Sequence, residues 1–84
     1  MNIKEYLSDF LDEAIFYDGF DEAIIGHGER CGLSVVLYDA NKCIKILMND
    51  GMTDIEAQEW LEYNIVGGYI GANTPIICYI EKEI

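Results

Sequence analysis

Basic residues are scarce in this chain. Five Lys and Arg stand against sixteen Asp and Glu in 84 residues, a formal net charge of −11. So negative a chain repels phosphate and anionic lipid at every approach, which argues against direct binding to nucleic acid or to an acidic membrane. Proline occurs once, as Pro75, and histidine once, as His27. The three cysteines, Cys31, Cys43 and Cys78, are an odd set, and Met1 to Glu5 has none of the apolar character of a secretory leader. A disulfide framework is therefore not expected, and a cytoplasmic location is. No apolar run approaches the ~20 residues of a membrane span. Cys-x-x-Cys, His-x-x-x-His and aspartate-rich calcium loops are all missing, so no metal and no cofactor is assigned.

What the chain does have is apolar mass. Its hydrophobic fraction is 51%, enough to build a core and to exclude a disordered acidic tail. Eighty-four residues make one domain, 1–84, near the lower size limit for folding without disulfides or metal.

Periodicity divides this domain into six elements. Ile3, Tyr6, Leu7, Phe10, Leu11 and Ala14 recur at helical spacing and predict a helix over 3–17 that stops at Asp18-Gly19. Ala23 to Gly26 and Leu33 to Tyr38 predict two strands, joined by the His27 to Gly32 connection as a hairpin. Asp39 is placed to cap a helix over 40–49. Thr53-Asp54-Ile55-Glu56 is a capping-box pattern opening a third helix to about residue 65, with Ala57, Trp60, Leu61 and Asn64 on one face and Glu56, Glu59 and Tyr63 on another. Thr74-Pro75 introduces a last strand, Ile76 to Ile80, suited to a sheet edge. The order α-β-β-α-α-β predicts an α+β fold: a three-stranded, mostly antiparallel sheet with helices mainly on one face.

Charge patterning marks the first candidate surface. Glu5, Asp9 and Asp12 fall at helical spacing, and Asp18, Asp21 and Glu22 extend the run with no basic residue among them. Five cations cannot neutralise sixteen anions, so these six carboxylates are expected to be exposed and unpaired. They form the candidate interaction face, suited to a basic protein surface. A second acidic run comprises Asp54, Glu56, Glu59 and Glu62.

The segment 26–32 is the second candidate. His27, Glu29 and Arg30 lie beside Cys31 between glycines, and a histidine near a thiol can generate thiolate. A turn with solvated polar groups explains the same residues, so no catalytic residue is assigned. Arg30, the chain's lone arginine, is expected to pair with a carboxylate of its own fold. Cys43 and Cys78 lie in apolar runs and are expected to be buried thiols. Gly67-Gly68-Tyr69-Ile70-Gly71 is glycine-rich, but it follows a helix and precedes a strand, the reverse of a dinucleotide fingerprint, and its expected role is a close turn past the core.

Several of these pieces recur together elsewhere. Gly28-Glu29-Arg30-Cys31, Tyr38-Asp39, Gly51-Met52-Thr53, Glu56-Ala57 and the stretch from Asn64 to Thr74-Pro75 resemble a family of small acidic proteins encoded by bacteriophages and prophages, of unknown function. The resemblance covers roughly residues 20–77 and departs at Gly68, where alanine is usual. It implies a phage origin, a host bacterial cytoplasm, and no catalytic residues. Three readings follow. The first, preferred here, is a protein-binding module that inhibits a host or anti-phage-defence nucleic-acid machine by occupying its basic surface. The second is an oligomerising structural protein, dimerising through its last strand. The third is a nucleotide binder or enzyme using the 26–32 loop.

Overall fold

Asn2 opens the first helix by accepting the Glu5 amide on its side chain at 2.8 Å, the bond that an N-cap residue supplies to an otherwise orphaned donor. In the computed structural model, which describes residues 2–81, this helix is α1, Ile3–Phe10. It ends well before the expected Asp18-Gly19 stop. Leu11 is already extended, and Glu13 takes a positive φ of 57°. Electrostatics does not favour this end: α1 has no basic residue in its last turn, and stopping at Phe10 leaves Asp9 at the negative end of the helix dipole. The freed segment bends back so that Tyr17 reaches the sheet.

A 3₁₀ turn, Asp21–Ala23, leads into β1, Ile24–Arg30, and a hairpin returns as β2, Leu33–Asp39. The expected connection of six residues is in fact mostly strand, and only Cys31 and Gly32 form the turn. Both have positive φ, 54° and 83°, the pair of angles that a type I′ hairpin requires. Gly28 stays in the strand, paired with Val35. The Leu37 side chain of β2 lies across it, so that an added Cβ would meet Leu37 at 3.3 Å.

Asp39 ends β2 and caps α2, Ala40–Asn49, accepting the Asn41 and Lys42 amides at 2.8 and 3.3 Å. The capping box forms as expected: Thr53 Oγ1 accepts the Glu56 amide at 3.2 Å, and Glu56 Oε1 accepts the Thr53 amide at 2.8 Å. This opens α3, Asp54–Leu61, which continues as a π turn over Glu62–Val66. The wider turn changes which residue faces inward. Ala57, Leu61 and Ile65 are buried, while Asn64, expected inside, is exposed and donates to the Trp60 carbonyl at 3.0 Å.

The last strand, β3, is Ile76–Cys78, shorter than expected. The sheet order is β1-β2-β3, with β1 antiparallel and β3 parallel to the central β2. The fold is thus α+β with a mixed, mostly antiparallel sheet in the order α-β-β-α-α-β. A parallel partner requires a crossover, and α2 and α3 supply it. Leu7, Phe20, Val36, Tyr38, Cys43, Leu47 and Leu61 meet in one core between the helices and one face of the sheet. Truncating one of its leucines to alanine is worth about 2–5 kcal/mol. Among the described residues no helix is long and apolar enough to cross a membrane.

Candidate functional site

Glu5, Asp9, Asp12, Asp18, Asp21 and Glu22 are all exposed, but they do not form one helical stripe. Glu5 and Asp9 share a shallow hollow on α1 with Lys4 and Ser8. Asp12 and Asp18 lie on the irregular segment that replaces the rest of the expected helix. Asp21 and Glu22 border a different hollow, where α2 ends at Asn49 and Asp50. Asp21 departs from the expectation of unpaired carboxylates, since Lys4 Nζ lies 3.3 Å from it. That lysine also sits 5.4 Å from the centre of the Phe16 ring, so it ties α1 to the bent segment and the 3₁₀ turn together. Both partners are partly exposed, and such a pair contributes roughly 0–1 kcal/mol. It is the one ion pair among the described residues. Asp39 and Glu56 cap helices, and the candidate carboxylates are otherwise left to solvent or to a partner. Among the described residues no cluster of acidic, His and Cys side chains could hold a metal ion.

The 26–32 candidate is divided by strand geometry. His27 and Glu29 are exposed and Arg30 is half-buried, because successive side chains of a strand point to opposite faces. His27 packs edge-on to Phe10, ring centres 4.9 Å apart, and Phe10 packs in the same way on Tyr6 at 5.0 Å. Arg30 finds no carboxylate among the described residues. Its Nη2 instead donates to the Ala72 and Thr74 carbonyls at 2.9 and 3.0 Å, clamping the chain just before β3 onto β1.

The glycine-rich segment is closed by the same residues. Thr74 Oγ1 accepts the Ile70 and Gly71 amides at 2.8 and 2.9 Å and donates to the Gly71 carbonyl at 2.6 Å. Two amides that a phosphate would need are thereby already taken. Cys43 is buried, Cys31 is exposed, and Cys78, expected to be buried, is only half so. Cys78 lies on an edge strand, where one flank has no neighbour to cover it.

A larger concavity was not foreseen. Ile44 of α2, Glu59 and Leu61 of α3, Glu62 and Tyr63 of the π turn, and Tyr79 just past β3 line a cleft of about 910 Å³. Burial, the nearby Glu62 carboxylate and the more distant Cys43 hold the Tyr79 hydroxyl above its ordinary pKa. The signal in the sequence was Tyr63 four residues after Glu59, an aromatic on an acidic helix face. Nothing local linked it to Ile44 or Tyr79. Comparison with protein-family models, curated proteins and solved structures yields no match for this chain.

Proposed function

We propose that this protein is an acidic protein-binding module, phage-encoded, that inhibits a host or anti-phage-defence nucleic-acid machine in the bacterial cytoplasm by occupying its basic surface. One observation carries the reading: a net charge of −11 on a chain whose candidate carboxylates are exposed and whose described residues hold a single ion pair. Unneutralised charge of one sign costs stability through self-repulsion, and a complementary surface offsets that cost on binding. A surface built to bind nucleic acid is the commonest strongly basic surface in a cell, and it attracts this chain by the same Coulomb term that attracts phosphate.

Capture from bacterial lysate at low and high salt tests the proposal. A basic, nucleic-acid-handling protein retained at low salt, released by salt and displaced by added DNA or RNA supports it. Retention that ignores both salt and nucleic acid overturns it.

The place of β3 favours a second reading, the homodimer. The strand lies at the sheet edge and runs into exposed Tyr79 and Ile80, so pairing of two copies would satisfy its free backbone groups. Salt acts with the opposite sign here. Screening reduces repulsion between like-charged copies and tightens a dimer, whereas it loosens a complex with a basic partner. Light scattering that reports a monomer at high protein concentration in low and high salt alike excludes the dimer.

A further inference from the structure

We propose that the cleft between α2, α3 and Tyr79 receives an arginine or lysine side chain from a short basic segment of the partner protein. This rests on the acidic-module reading and gives it a defined anchoring site. The cleft combines two kinds of surface. Ile44, half-buried over the core residue Leu61, supplies apolar area, Tyr63 and Tyr79 supply aromatic rings, and Glu59 and Glu62 add two carboxylates. A long aliphatic stem ending in a cation matches that order: the stem covers apolar surface while the head meets carboxylate and ring faces. A purely apolar occupant would strip water from the carboxylates without replacing it, and an anion would be repelled.

The exposed aromatics strengthen the case. Tyr63 is 86% exposed and Tyr79 55%, so each presents ring surface to an occupant of the cleft. The π turn puts Tyr63 there, because it turns Ile65 into the core and leaves Tyr63 outside. Such turns recur at functional sites. Glu59 and Tyr63 also border a second hollow with Met52, Glu56 and Trp60. Two adjoining hollows sharing one carboxylate suit a segment with two cationic residues better than a single free amino acid.

The test is an amide-resolved NMR titration at low ionic strength with acetyl-Arg-Leu-Leu-Arg-amide, using the glutamate peptide acetyl-Glu-Leu-Leu-Glu-amide as control. Saturable shifts are expected at Ile44, Glu62, Tyr63, Gly67 and Tyr79 with the arginine peptide and not with the control. Glu62→Gln should weaken binding about tenfold, the equivalent of roughly 1.4 kcal/mol, and Glu13→Gln, an exposed carboxylate outside the cleft, should leave it unchanged. Running the same titration on Lys82→Gln removes the chain's own cation nearest in sequence to Tyr79, so that a negative result counts against the cleft itself. Shifts confined to Glu5, Asp9, Asp12 and their neighbours would overturn the cleft and leave the acidic-module reading standing. No shift at any residue would overturn the cleft, while the acidic-module reading stands or falls on the capture experiment. Cleft shifts that survive neutralisation of Glu59 and Glu62, or that the glutamate peptide reproduces, would also overturn the proposal, since they would mark a merely apolar site.

Discussion

The phenolic oxygen of Tyr38 accepts the backbone N–H of Tyr17 at 2.8 Å, joining the centre of the sheet to the segment that leaves α1. The two rings also touch, with centres 5.2 Å apart. Tyr38 is fully buried, so its hydroxyl has no water to fall back on, and the Tyr17 amide depends on it in turn. Tyr38→Phe keeps the ring and deletes the acceptor. The expected loss is about 1–2 kcal/mol, mostly the cost of the unpaired amide. Urea unfolding measures the loss. Hydrogen exchange at the Tyr17 amide, which should accelerate in the variant, assigns it to this bond.

Where structure is written locally, the sequence was legible. Thr53 and Glu56 form their capping box, and Asp39 caps α2, because each bond spans only two or three residues. The end of α1 was not legible. It depends on Tyr38, 21 residues from Tyr17, a contact that apolar periodicity does not register. Gly28 suggested a loop, yet it pairs with Val35 in the ladder, with Leu37 across the space a side chain would take. Asn64 was placed inward by a 3.6-residue period that the π turn breaks, and Ile65 takes the position. The exposure of the six candidate carboxylates followed from counting charges, but the separation of Glu5 and Asp9 from Asp21 and Glu22 into two hollows did not. The cleft was hidden for the same reason as the end of α1: Ile44, Tyr63 and Tyr79 meet only after the crossover is built.

Arg30 and Thr74 are expected to matter for stability and not for any ligand. Arg30→Ala removes two bonds from a charged donor, and the expected cost is roughly 2 kcal/mol. Lysine should recover part of it, since an ammonium is a donor without the planar reach of guanidinium. Thr74→Val keeps the buried shape but leaves the Ile70 and Gly71 amides without their acceptor, at a cost of about 2 kcal/mol or more. Thermal unfolding of the three variants provides the check. A full-strength fold in Thr74→Val would show that water replaces the hydroxyl.

Alkaline pH should destabilise the protein through two buried groups. Burial, with a smaller contribution from nearby Asp39, pushes the Cys43 thiol up to about 11 from an ordinary value of 9.0. Burial likewise pushes the Tyr38 phenol up to about 12 from 10.0, against the Tyr17 hydrogen bond, which lowers it. The folded state therefore holds both protons to a higher pH than the unfolded chain does. Their contribution is complete below pH 9 and is lost as pH rises from 9 towards 11 for the thiol and from 10 towards 12 for the phenol. For Cys43 the loss amounts to roughly 2 kcal/mol. Urea midpoints measured from about pH 8 to about pH 11 should fall in the wild type and fall less in Cys43→Ala. A variant whose profile parallels the wild type would place the alkaline sensitivity elsewhere.

The hairpin turn offers a substitution that should stabilise the protein. Cys31 sits at φ 54° and Gly32 at φ 83°, and a side chain with a Cβ pays about 1–2 kcal/mol to enter this left-handed region. Asparagine bears that conformation better than cysteine because its short amide bonds locally, and Asn-Gly is the favoured pair for such turns. Cys31→Asn should therefore gain several tenths of a kcal/mol, up to about 1, while deleting the exposed thiol. Gly32→Ala should lose about 1 kcal/mol or more, since alanine has no compensating bond. Nothing lies within 4 Å of a Cβ built on Gly32, so any loss there is conformational and not steric. Thiol titration of the native protein completes the test: Cys31 should react first in the wild type, and Cys31→Asn should leave only slow modification of Cys43, with Cys78 between them. If Gly32→Ala proves as stable as the wild type, the turn does not hold the left-handed geometry, and the stabilisation expected of Cys31→Asn fails with it.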